Sequence, residues 1–178
     1  MQKEDNYTFL TQEPIPKVIG TMAVPTIIAM LITNLYNIVD TYFVGKINTQ
    51  ATAAVGIVFS VMFFIQAFSF FFGNGSGNYI SRELGSKNRR NAEQMASTAL
   101  GYAFISSIII VVFGLIFLDK LCVFLGSTST ILPYTRQYLG ISLLGIPFIM
   151  CTLCMNNQMR FQGYARYSMY GIVVGALL

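Results

Sequence analysis

The chain has 178 residues, 54% hydrophobic and 10% charged, with eleven Lys and Arg against seven Asp and Glu for a net charge of +4; soluble domains carry about a quarter charged residues. That excludes an ordinary water-soluble domain. Histidine is absent, which removes the commonest general base and metal ligand, and no basic stripe is interleaved with exposed aromatics as nucleic-acid binding requires.

The chain opens on a polar leader, residues 1–16, carrying Glu4, Asp5 and Glu13. Pro14 and Pro16 discourage helix there until just before the first apolar run. Uncharged runs then follow from Val18 to Val39, Ile47 to Ser81, Gln94 to Leu118, Gln137 to Met159 and Tyr167 to Leu178. The first four exceed the ~18 apolar residues that mark a transmembrane helix. The last is a stub that crosses only about two-thirds of a hydrocarbon core. The expected architecture is therefore all-α, a polytopic transmembrane bundle with complete spans near 17–45, 51–80, 93–118 and 131–159 and the start of a fifth at 167–178. The second run is long for one upright helix, so the stretch Thr49-Gln50-Ala51 is expected to be loop unless the helix tilts or protrudes. The first run is too long for a signal-peptide core and has no cleavage pattern after it.

Charge sets the orientation. Lys3, Lys17, Arg82, Lys87, Arg89, Arg90, Arg160 and Arg166 fall on one side, and Lys46, Lys120 and Arg136 on the other. The positive-inside rule puts the first set, and with it the N-terminus, in the cytoplasm of a cell-membrane protein.

Within the spans Asp40 stands out, with apolar neighbours and no adjacent cation. A carboxylate in hydrocarbon costs at least ~2.5 kcal/mol and is expected to face the protein interior or a water-filled cavity. The alternative places it at the outer interface near Lys46. Thr33, Tyr36 and Asn37 precede it by seven, four and three residues, which puts all four on one helical face. Such a group can exchange protons, or can hold sodium with neighbouring oxygens, since hard cations prefer oxygen ligands; the residues leave both open. Pro25 removes a backbone hydrogen bond within the first span and is expected to kink it, unless it is an incidental membrane proline.

The second span carries Gln66 and ends in a glycine-rich segment with Gly73, Gly75 and Gly77. Neither a strand nor an acidic partner accompanies these glycines, so a nucleotide loop is rejected in favour of close helix packing. Between the third and fourth spans, 119–136 reads as an extracellular turn, with Ser129 or Thr130 as a possible cap for the next helix. In the fourth span Cys151 and Cys154 read as small hydrophobes. Asn156, Asn157 and Gln158 either face a shared cavity or cap the helix into its loop.

The succession Ala23-Val24-Pro25, Asn37-Ile38-Val39-Asp40-Thr41-Tyr42-Phe43-Val44-Gly45, Ala53-Ala54-Val55-Gly56 and Gly77-Asn78-Tyr79-Ile80-Ser81-Arg82-Glu83-Leu84-Gly85 resembles the multidrug and toxic compound extrusion (MATE) transporters, closest to the Gram-positive multidrug-efflux branch. Tyr138-Leu139-Gly140-Ile141 and Met159-Arg160-Phe161-Gln162-Gly163 fit as well. The resemblance runs from Lys17 onward. It implies part of the N-terminal lobe of a twelve-helix (6+6) antiporter that exports organic, often cationic, compounds in exchange for protons or sodium ions. It also implies that this chain is inactive without the C-terminal lobe. By resemblance Asp40 is the ion-coupling carboxylate and Pro25 the point of bending. Tyr36 lies in the cavity-lining stretch, and Asn156 and Asn157 match fourth-helix polar positions; Thr33, Asn37 and Gln66 complete the cavity candidates. No cofactor and no resident metal are expected. The alternatives are a lipid-linked saccharide flippase of the same architecture, for which basic residues deep in the spans are missing, and a small oligomerising membrane scaffold. A membrane enzyme would need a second catalytic group near Asp40, and the sequence offers none.

Overall fold

The computed structural model describes residues 8–9, 12–46 and 48–177, with the side chains of 176 and 177 left aside. All regular structure among them is helical: α1 (Ile15–Gly45), α2 (Thr49–Gly85), α3 (Arg89–Ile116), α4 (Leu118–Phe124), α5 (Leu132–Phe161) and α6 (Ala165–Leu177). Helices α1, α2, α3 and α5 are long and apolar enough to cross a membrane. Lipid supplies no hydrogen-bond partners, so each span must satisfy its own backbone, and only a helix does so within one segment.

Most of the leader lies outside the described residues. Thr8, Phe9 and Gln12 are helical, so helix does occur ahead of Pro14, contrary to the sequence expectation. A proline forbids helix through itself, not upstream of its neighbour. Helix α1 then starts at Ile15 with Pro16 in its first turn, where the missing N–H would have no partner anyway.

The expected loop at Thr49-Gln50-Ala51 is instead the first turn of α2. The Asn48 side chain accepts from the Ala51 backbone N–H at 2.6 Å, an N-cap that starts the helix there. At 37 residues, α2 extends about 55 Å against a ~30 Å hydrocarbon core, so the excess length is taken up by protrusion or tilt. The 119–136 connection also differs from a plain turn, because it contains α4. Neither Ser129 nor Thr130 caps α5, whose N-cap is Ile131 with no side-chain cap bond. The Thr128 carbonyl accepts from the backbone N–H groups of Ile131 and Leu132 instead.

Helices α2, α3 and α5 pack on one another, with α5 at the centre, while α1 lies chiefly against α6 and more lightly against α2. The reason is written along α5. Leu139, Leu143, Ile146, Met150 and Cys154 are fully enclosed, spaced three or four residues apart on one face. The first four join Val58 and Ile65 of α2, Val111 of α3 and Cys122 of α4 in one apolar core. The opposite face of α5 is equally apolar but open: Ile141 is 74% and Phe148 77% exposed, as suits contact with acyl chains.

Glycines set the closest approaches. A Cβ on Gly73 would stand 2.9 Å from Asn157 Cβ, one on Gly114 would stand 2.8 Å from Leu143 Cδ2, and one on Gly77 would fall on the Phe161 ring. The small-residue density at the end of α2 does serve close packing. Gly75 has open space around its would-be Cβ. Gly77→Val is therefore expected to destabilise the bundle by about 1–3 kcal/mol through overpacking, and Gly75→Val to leave it unchanged, checked by thermal unfolding in detergent.

Candidate functional site

Asp40 occupies α1 one and a half turns before its end and is half-buried, whereas Thr33, Tyr36 and Asn37 on the same face are exposed in this chain. The hydroxyl of Thr33 donates to the Ala29 carbonyl at 2.9 Å, within its own helix. The neighbouring Lys46 does not pair with Asp40. Its ammonium lies 4.7 Å from the Tyr42 ring centroid, and the salt bridges among the described residues are Lys17–Glu13 and Arg136–Asp119. Across the bundle, Tyr138 in the second turn of α5 lies within electrostatic reach of both Asp40 and Tyr36. Asn48 Nδ2 reaches the Tyr134 hydroxyl at 3.4 Å, which ties the α1–α2 connection to the start of α5. Asp40, Tyr36 and Tyr138 thus form a constellation of one acid and two phenols near one end of the bundle.

In the sequence Tyr138 stands out only as part of the Tyr138-Leu139-Gly140-Ile141 motif. Its nearness to Asp40 depends on how α5 is rotated, and the apolar character of α5 on all sides hides that.

Pro25 is buried inside a continuous α1, one turn before buried Ala29, so it faces protein. Gln66 is half-buried on α2. The amides of α5 lie near the other end of the bundle, in contacts between helices. Asn156 Nδ2 donates to the Ser168 carbonyl at 3.2 Å, and the Ser168 hydroxyl donates back to Asn156 Oδ1. Gln158 Nε2 donates to Ser76 Oγ at 3.0 Å and to the Ala96 carbonyl at 3.3 Å, joining α5 to α2 and α3 at once. Asn157 is buried over Gly73, and its Nδ2 has no hydrogen-bond partner.

At the Asp40 end, Arg136 Nε lies 3.2 Å from Asp119 Oδ1, and Ser127 and Thr135 share a hydroxyl hydrogen bond of 2.9 Å. These contacts close the α4 segment over the start of α5. Beneath them burial pushes the Cys122 thiol up from its ordinary range; Asp119 adds to the shift and Arg136 opposes it. No group of three or more His, Cys, Asp or Glu suited to a metal ion occurs among the described residues.

Four helices able to span a membrane, with a half-buried acid and a polar stripe on the first, define a polytopic helical membrane protein. The family model MatE matches residues 25–178, and the chain belongs to that family, one of membrane transporters rather than enzymes. It is similar to the multidrug export protein MepA of Staphylococcus haemolyticus, 28% identical over 96% of this chain and 38% of that protein. MepA of Staphylococcus aureus is 25% identical over the same shares. Among solved structures, a MOP-superfamily transporter of Pyrococcus furiosus superposes with a TM-score of 0.90 at 26% identity, covering 97% of this chain and 38% of that one. The outward-facing conformation of a multidrug resistance MATE transporter of the same superfamily gives equal values. The chain spans about 38% of the length of the relatives it matches.

Two outcomes follow from this geometry. A double-mutant cycle between Gln158→Leu and Ser76→Ala is expected to return a coupling of about 0.6–1.7 kcal/mol, the range for hydrogen bonds between membrane helices. For Cys122 the neutral thiol is the folded form, so between the unfolded and the higher folded pKa the unfolded state binds fewer protons and stability falls as pH rises. Maleimide labelling of Cys122 in folded protein is accordingly expected to start at higher pH than labelling of the same thiol in denaturant.

Proposed function

We propose that the full-length protein exports organic, often cationic, compounds across the cell membrane in antiport with protons or sodium ions, and that Asp40 couples the two fluxes. The observation that carries this reading is the position of Asp40. Among the described residues it is the acid set inside a spanning helix, unpaired with any cation, whereas Glu83 and Glu93 sit near helix ends. Tyr138 stands within its electrostatic reach, Tyr36 lies one turn before it on the same helix, and the homology to multidrug exporters supports the transported class.

The mechanism is competition. Protonation of Asp40 or sodium binding to it cancels its charge, which removes the attraction for an organic cation and changes the packing of α1 on its neighbours. When the ion leaves, the carboxylate again favours the cation. Thr33, Tyr36, Asn37 and Gln66 remain the proposed cavity contacts and Pro25 the proposed hinge; Asn156 and Asn157, buried between helices in this chain, would join the cavity only if the bundle rearranged during transport. Alternating access needs two bundles rocking about a site between them, so the activity belongs to a protein with both lobes. The basic residues at the ends of α2, α3 and α5 support a cytoplasmic N-terminus.

In cells lacking their own pumps, Asp40→Asn in the full-length protein is expected to abolish ion-driven efflux of a fluorescent organic cation while membrane expression persists. Efflux that retains wild-type dependence on a proton or sodium gradient would remove Asp40 from the coupling role.

A further inference from the structure

A second polar constellation lies at the end of the bundle opposite Asp40. The turn after α5 reverses at Gly163, whose φ is +84°, and brings the first turn of α6 back beside the last turns of α5. There Asn156 Nδ2 donates to the Ser168 carbonyl and the Ser168 hydroxyl donates to Asn156 Oδ1. With its proton committed, Ser168 Oγ accepts from Arg160 Nε at 3.2 Å. This relay holds the half-buried guanidinium by one edge only. Its two Nη groups have no partner among the described residues: no carboxylate pairs with them, and they are not among the enclosed unpaired atoms. A guanidinium fixed through Nε presents its remaining donors as a fork that matches the oxygens of a phosphate.

The surroundings point the same way. Residues 82–93 and 160–166 place six basic side chains at this end (Arg82, Lys87, Arg89, Arg90, Arg160, Arg166) against Glu83 and Glu93. Glu83 accepts from Asn91 Nδ2 at 3.3 Å. Tyr164 and Tyr167 pack edge to face at 5.9 Å beside the turn, the aromatic type that settles at headgroup level.

We infer that Arg160, positioned by the Asn156–Ser168 relay, binds the phosphodiester of a glycerophospholipid at the basic end of the bundle. The lipid thereby bridges α5 and α6, and an anionic headgroup is preferred because of the surrounding basic charge.

The test is native mass spectrometry of delipidated full-length protein titrated with phosphatidylglycerol, with phosphatidylcholine and inorganic phosphate as separate arms. Its readout is independent of export. Arg160→Gln is expected to weaken binding of one phosphatidylglycerol by about fivefold, the effect of one basic residue at an anionic surface. Ser168→Ala, which keeps the charge but frees the fork, is expected to show a smaller loss. Millimolar inorganic phosphate is expected not to displace the lipid. Equal affinity of wild type and Arg160→Gln, or displacement by free phosphate, overturns the inference. If Arg160→Gln fails to fold, an unchanged affinity in Ser168→Ala overturns it as well.

Discussion

Hydrocarbon offers no partner to a polar group, so every amide or hydroxyl a membrane helix carries must be answered by another helix or face an aqueous space. In this chain that constraint falls on α5. Gln158 draws its partners from α2 and α3, and Asn156 draws its partner from α6. These bonds fix which face of α5 turns inward, and the enclosed stripe from Leu139 to Cys154 follows from that choice. Glycines of α2 and α3 then allow the backbones close enough for the bonds to form. Polar groups specify the arrangement, and apolar packing fills it.

Helix α1 is the exception to this pattern. Only Pro25 and Ala29 are buried along it, and Thr33, Tyr36 and Asn37 of its polar stripe are exposed in this chain. Under the proposed function, that openness leaves the stripe available to a cargo or an ion. The two ends of the bundle divide the work accordingly. One holds the acid and its phenols, and the other holds the amide bonds and the basic fork of Arg160.

Fold class and span number were legible in the sequence, because long uncharged runs admit no other reading, and so was the purpose of Gly73 and Gly77. That Asp40 lies half-buried within a span was legible because a lone acid in an apolar run is costly. What escaped has physical causes. Helix α4 is seven residues long and carries Asp119 and Lys120, so it breaks no apolar pattern. The cap at Asn48 was hidden because a 35-residue run was expected to begin as loop unless its helix tilted or protruded, and the second course holds. The partners of Asn156 and Gln158 depend on helix rotation, and in a helix apolar on both faces periodicity carries no such information. For the same reason Tyr138 could not be placed near Asp40 before the fold was known.

The central claim is that the charge state of Asp40 governs affinity for the exported cation. Its most direct test is the dissociation constant of an organic cation for the full-length protein in detergent, measured across pH and across sodium concentration, in wild type and in Asp40→Asn. The account predicts that wild-type affinity falls as protons or sodium ions are added and that the variant's affinity is flat in both. A variant whose affinity keeps the wild-type ion dependence would contradict it.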